Sequence, residues 1–109
     1  MAKTISFTYK EKDYLLEFTN KTVKQMSLNG FRVGDLEDNP IVALPDLFAG
    51  AFLAHHRYVK RELIDEIYTN MTDKEALLAN LGEMYAEPIK ALTDEPEDES
   101  KKVMWEVIG

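Results

Sequence analysis

The sequence contains no cysteine, which excludes disulfides, thiolate metal sites and thiol nucleophiles together and fits a reducing compartment. Histidine is nearly as scarce. His55 and His56 are the only two, and as neighbours on a helix they point about 100° apart. A metal shared between them would need further ligands that the spacing does not offer, so the expected role is at a helix C-terminus, where an imidazolium or Arg57 meets the exposed carbonyls. There is no glycine-rich phosphate loop, nucleophile elbow, histidine-rich zinc pattern or dinucleotide fingerprint.

Basic residues are also short, 13 against 20 acidic ones, and the formal charge of -7 repels both a phosphate backbone and an anionic membrane leaflet. The N-terminal run Met1-Ala2-Lys3-Thr4-Ile5-Ser6-Phe7 alternates polar and apolar residues and lacks the continuous apolar stretch of a signal peptide. The acids Glu62, Asp65 and Glu66 stand at i, i+3 and i+4, but with Lys60 and Arg61 beside them they read as a solvated helix face rather than paired catalytic carboxylates. These absences predict a soluble protein that is not an enzyme, carries no cofactor or metal, and binds neither nucleic acid nor membrane.

What remains is a globular composition, 45% apolar and 30% charged over 109 residues, enough for one domain with a real core. Ile5, Phe7 and Tyr9 alternate with polar residues, and Tyr14, Leu16 and Phe18 do so again. The pattern predicts a β-hairpin over residues 4–18. Its connection, Lys10-Glu11-Lys12-Asp13, has no Gly or Asn for a tight primed turn, which predicts a longer loop built round a type I turn. A hairpin alone is marginal, so its aromatic face must lie on the helices that follow.

Thr19 or Asn20 caps a short helix over about 20–29 that stops at Asn29-Gly30. Residues 31–39 read as a loop pinned by Phe31, Val33 and Leu36, with Asn39 capping the next helix. Later, Val59, Leu63, Ile64, Ile67 and Met71 mark an amphipathic helix over about 59–70. Thr72-Asp73-Lys74-Glu75 opens another over 73–92, with Pro88 in its second half. The expected fold is therefore α+β, mainly α: a hairpin and about four helices in a domain spanning 1–93. An acidic flexible linker and a short extended C-terminus follow over 94–109.

The helix predicted over 40–56 stands apart. From Ile41 to Ala54 it reads IVALPDLFAGAFLA, interrupted only by Pro45 and Asp46, where a surface helix would show a polar face. Fourteen residues rise about 21 Å, short of the roughly 20 residues that span a bilayer. Pro45 allows a kink or a start near Leu44, and Gly50 permits close approach by a neighbour. Leu47, Phe48, Phe52 and Leu53 are each worth about 2 kcal/mol when removed from water. Such a helix is either a wrapped core element or one that turns part of its surface to another chain. In the C-terminal stretch, Asp94, Glu95, Glu97, Asp98 and Glu99 are five acids within six positions, and Trp105 follows them. An indole there either folds back or binds elsewhere.

The opening KTISFTYKEKDYLLEFTNKTVKQM, the segment LPDLFAGAFLAHH and the following KRELIDEIY resemble the tail assembly chaperones of siphovirus-type bacteriophages and prophages, over about Lys3 to Leu92. The resemblance implies a helical protein made in the cytoplasm of the bacterial host. It would coat the tape-measure protein until tail-tube subunits polymerise round it, and would be absent from the mature virion. It also implies a longer frameshifted form, of which this chain would be the short one, whose added tail contacts the tail-tube protein. On this reading an apolar groove centred on Leu47, Phe48 and Phe52, with Leu53, His55 and His56 beside it and Trp105 as a further contact, takes the helical client. A homo-oligomer is compatible with such a coat. Two other readings fit a small acidic chain: a head-tail connector or tail-completion protein, and an inhibitor of a host nucleic-acid enzyme that presents the Asp94–Glu99 run as a phosphate mimic.

Overall fold

A computed structural model describes residues 3–93 and 102–108. The expected linker over 94–101 lies outside the described residues. Two antiparallel strands, β1 (Ile5–Tyr9) and β2 (Lys12–Leu16), are followed by α1 (Asn20–Leu28), α2 (Asp35–Asp38), α3 (Pro40–Gly50), α4 (Arg61–Asn70) and α5 (Lys74–Thr93). The architecture is the α+β, mainly helical one that the periodicities predict, a hairpin laid on helices.

The strands pair from Ile5 opposite Leu16 to Tyr9 opposite Lys12, so the loop between them is only two residues. Lys10 and Glu11 have φ of 49° and 67°, the left-handed pair of a type I′ turn. The longer loop expected from the lack of Gly or Asn does not form. Contacts beyond the turn hold it instead: the Tyr9 hydroxyl and the Lys10 ammonium both donate to Glu66 Oε2 on α4, at 2.7 and 3.1 Å. Glu66 is thus a tether for the hairpin rather than part of a merely solvated face, and the hydrogen bonds from Tyr9 and then Lys10 hold its carboxyl below the ordinary range.

β2 sends Tyr14 and Leu16 into the core, and Phe18 follows with the same alternation. β1 turns Ile5, Phe7 and Tyr9 to the same side but leaves them only half-buried, with Phe7 stacked on Tyr14 at 5.3 Å between ring centroids. Beneath them lie Phe52, Ile64, Ile67, Leu77 and Leu81 from the helical layer.

Thr19 caps α1 reciprocally: its hydroxyl accepts from the Thr22 N–H at 3.1 Å, and the Thr22 hydroxyl accepts from the Thr19 N–H at 2.9 Å. The helix ends at Asn29, and Gly30 takes φ of 100°, a conformation open to glycine at no steric cost. Residues 31–39, expected to be loop throughout, hold the single turn of α2; Phe31 and Leu36 pack on the core, whereas Val33 is exposed. Asn39 occupies the N-cap position of α3 without a side-chain hydrogen bond, and Pro40 supplies the first helical residue.

α3 runs through Pro45 and stops at Gly50, six residues short of the expected end at His56. Its last turn tightens: the Phe52 and Leu53 N–H groups donate three residues back to Ala49 and Gly50. The turn is tied to the chain leaving β2, because the Ala51 carbonyl accepts from the Glu17 N–H at 3.1 Å. α4 begins at Arg61 rather than Val59. α5 is opened by Asp73 rather than Thr72, with its carboxylate accepting from the Ala76 N–H at 3.4 Å. α5 continues through the buried Pro88 to Thr93.

Candidate functional site

Seven side chains are candidates for partner contact, and the structure separates them. Leu47, Phe48 and Phe52 are at most 1% exposed. Phe52 meets Phe7, Tyr14 and Phe48 edge-on or tilted, with ring centroids 5.2 to 6.4 Å apart. A groove centred on these three is therefore not a surface of the molecule. They fill the core because Ala43, Leu47, Phe48, Ala51 and Phe52 recur at helical spacing on the face that the hairpin, α4 and α5 cover.

His55 and His56 do not cap a helix. The Leu15 N–H donates to His56 Nε2 at 2.9 Å, so this imidazole is an acceptor and neutral, with its ring 5.2 Å from that of Tyr14. Burial, with the charges of His55 and Lys12 adding to it, holds His56 below its ordinary value of about 6.5. His55 Nε2 lies 2.6 Å from Glu17 Oε1. The pair is a clasp that ties β2 to the turn after α3. Trp105 is 80% exposed and docks on nothing described.

The surface that α3 does offer is its opposite face. Val42, Asp46 and Ala49 stand 4 and 3 residues apart on one stripe of α3, and Leu53 follows on the same side in the tightened turn beyond its end. Val42 is exposed, and Asp46, Ala49 and Leu53 are half-buried. Ala49 and Leu53 floor an open cleft of about 300 Å³, with Asp46 and Arg61 at its rim and Met26, Asn29, Gly30 and Phe31 at the end of α1 as its wall. α1 and α3 meet closely beside the cleft. At that point Gly50 lacks the Cβ that would collide with Met26 Sδ and Cε, the close approach that its glycine predicts. Asp46 and Arg61 pair at 2.7 Å on the rim, and Arg61 also holds Asp65 at 2.8 Å. Ile41, 86% exposed, extends the apolar surface past Val42 at the N-terminal end of α3.

Of the seven candidates only Leu53 lines this cleft. Met26, Phe31, Asp46, Ala49 and Arg61 are not among the expected partner contacts, although the sequence carries one signal for them. Asp46 is the sole charged residue between Ile41 and Ala54, so its side of the helix is the outward one. A cleft that sets Phe31, Ala49 and Leu53 among the polar Asn29, Asp46 and Arg61 can hold one edge of an amphipathic helix. Among the described residues no group of three or more His, Asp or Glu is placed to hold a metal ion, and no helix is long and apolar enough to cross a membrane.

Neither a curated protein nor a solved structure matches the chain. One family model, described as a domain of unknown function (DUF5055), matches residues 1–108. The chain belongs to that family.

Proposed function

We propose that this DUF5055 protein is a tail assembly chaperone of a siphovirus-type bacteriophage or prophage, one that covers an apolar helical stretch of the tape-measure protein until tail-tube subunits replace it. The observation that carries the reading is the cleft beside α3, an open hollow of mixed lining in which Phe31, Ala49 and Leu53 stand between Asn29, Asp46 and Arg61. The likeness of Lys3 to Leu92 to such chaperones supports it from the sequence side. The client's apolar stripe would be unpaired before assembly and need temporary cover, which a groove that takes a helix edge supplies. The net charge of -7 keeps a many-copy complex dispersed. The protein would then act in the cytoplasm of the bacterial host, leave before the virion is finished, and meet the tail-tube protein only at the handover.

Co-expression with a tape-measure protein encoded beside it is the test. A co-purifying complex is expected from the wild type, and failure to form one while both proteins stay soluble contradicts the proposal. Mass spectrometry of purified particles separates a chaperone, which is absent, from a head-tail connector or tail-completion protein, which is retained.

A further inference from the structure

The hairpin has one covered edge and one open edge. Because the Leu15 N–H donates outward to His56, Leu15 and its cross-strand partner Ser6 form a pair without mutual hydrogen bonds. The same parity sends the Glu17 N–H outward to Ala51. The outer edge of β2 is therefore sealed by the turn that follows α3. By the same alternation, the N–H and C=O groups of Ser6 and Thr8 point outward from β1. Both residues are exposed, the sheet has only two strands, and no described residue pairs with that edge.

The usual guards of an edge strand are charged side chains, proline or a bulge. β1 has neither proline nor bulge, and its flanking lysines are drawn away. Lys3 is held by Asn80 and Glu83 on α5, and Lys10 by Glu66 on α4. Beside this edge the row Ile5, Phe7 and Tyr9 is only half-buried.

The same chain carries a segment suited to that edge. Val103, Met104, Trp105, Val107 and Ile108 are each 80 to 90% exposed. The run has no Gly or Pro and a single charge, Glu106, which is the composition of an edge-pairing strand. Extended, it puts Val103, Trp105 and Val107 on one face, where they would continue the apolar row of β1, and Glu106 on the other beside Ser6 and Thr8. Six residues match the five of β1. Within one chain residues 103–108 are exposed and form no backbone hydrogen bond with a described residue of β1, so both halves of the contact are left unused.

We infer that residues 103–108 of one copy add to the β1 edge of a second copy as a third strand, so that the protein self-associates by strand addition. This inference does not rest on the proposed client.

Trp105, the only tryptophan, reports the event directly. With the full chain, raising the concentration should shift its emission to the blue in step with an increase in mass measured by light scattering. Thr8→Pro removes an outward N–H that no strand uses, and Val103→Asp with Val107→Asp spoils the segment without touching the fold. Each variant alone should stay monomeric with red Trp105 emission. Mixed together, the edge-blocked and segment-blocked chains should form a pair, because each retains what the other lacks. Self-association unchanged in the Val103/Val107 variant overturns the inference, even if Thr8→Pro fails to fold. So does a blue shift with no change in mass, which would place the segment on its own chain, or a mixture that stays monomeric with both variants folded.

Discussion

Acidification should loosen the hairpin through one imidazole. His56 Nε2 accepts the Leu15 N–H at 2.9 Å, and a protonated ring has no lone pair left to accept with. The folded state holds His56 below its ordinary value of about 6.5, first by burial and then through the charges of His55 and Lys12. As pH falls, the unfolded chain therefore takes up this proton before the folded one does. The stabilisation is fully present above about pH 6.5, declines as pH falls toward the lowered folded value, and is constant below it, with a slope of at most about 1.4 kcal/mol per pH unit. The total loss should be on the order of 1–3 kcal/mol, the cost of leaving a half-buried backbone donor unpaired. Glu17, which faces His55 at 2.6 Å, also lies against this turn, so the contribution of His56 is isolated by difference. His56→Gln keeps an acceptor that does not titrate. Urea denaturation of both proteins between pH 8 and pH 5 should show the wild type losing stability relative to the variant as pH falls. Parallel curves would refute the assigned role of His56.

Two further substitutions probe the turn and the core. Glu11→Gly relieves a left-handed residue at φ of 67°, worth about 1–2 kcal/mol, against about 0.5–1 kcal/mol of added chain entropy. Thermal melts should show a net gain of about 0–1.5 kcal/mol, and a net loss would mean that the turn is unstrained. Phe52→Ala empties a site that is 1% exposed and in ring contact with Phe7, Tyr14 and Phe48. Urea unfolding should show a loss of about 3–5 kcal/mol, and a loss below about 1 kcal/mol would place Phe52 outside the core.

The elements were legible where one face is polar. The alternation through Tyr14, Leu16 and Phe18 marks a strand, and the spacing of Ile64 and Ile67 against Arg61, Asp65 and Glu66 marks α4, because each pattern has a wet side. The segment 41–54 has almost none, so neither its end nor its faces could be assigned. The turn beyond its end is held by the Glu17 N–H, 34 positions from Ala51 in sequence, donating to the Ala51 carbonyl, a contact that no local pattern contains. Lys10-Glu11 hid the tight turn because its conformation is imposed by Tyr9 and Lys10 reaching Glu66, a contact that turn propensity does not contain. The cleft shared the same obstacle. Leu47 and Phe48 are the larger and more conspicuous residues, yet the helical period puts them opposite Asp46, and only the packing of Met26 and Phe31 makes Ala49 and Leu53 part of a trough.

The central claim, that this outward face of α3 takes a helical client, is tested most directly by capturing the tape-measure protein on wild-type chain and on Leu53→Asp in parallel. Leu53 is half-buried in the cleft floor and not among the fully buried core side chains, so the variant should keep its circular dichroism and lose no more than about 1–2 kcal/mol of stability. An acid there should nonetheless remove binding by leaving a charge against the client's apolar stripe. Capture by the wild type and none by folded Leu53→Asp is the predicted result; equal capture by both would contradict it.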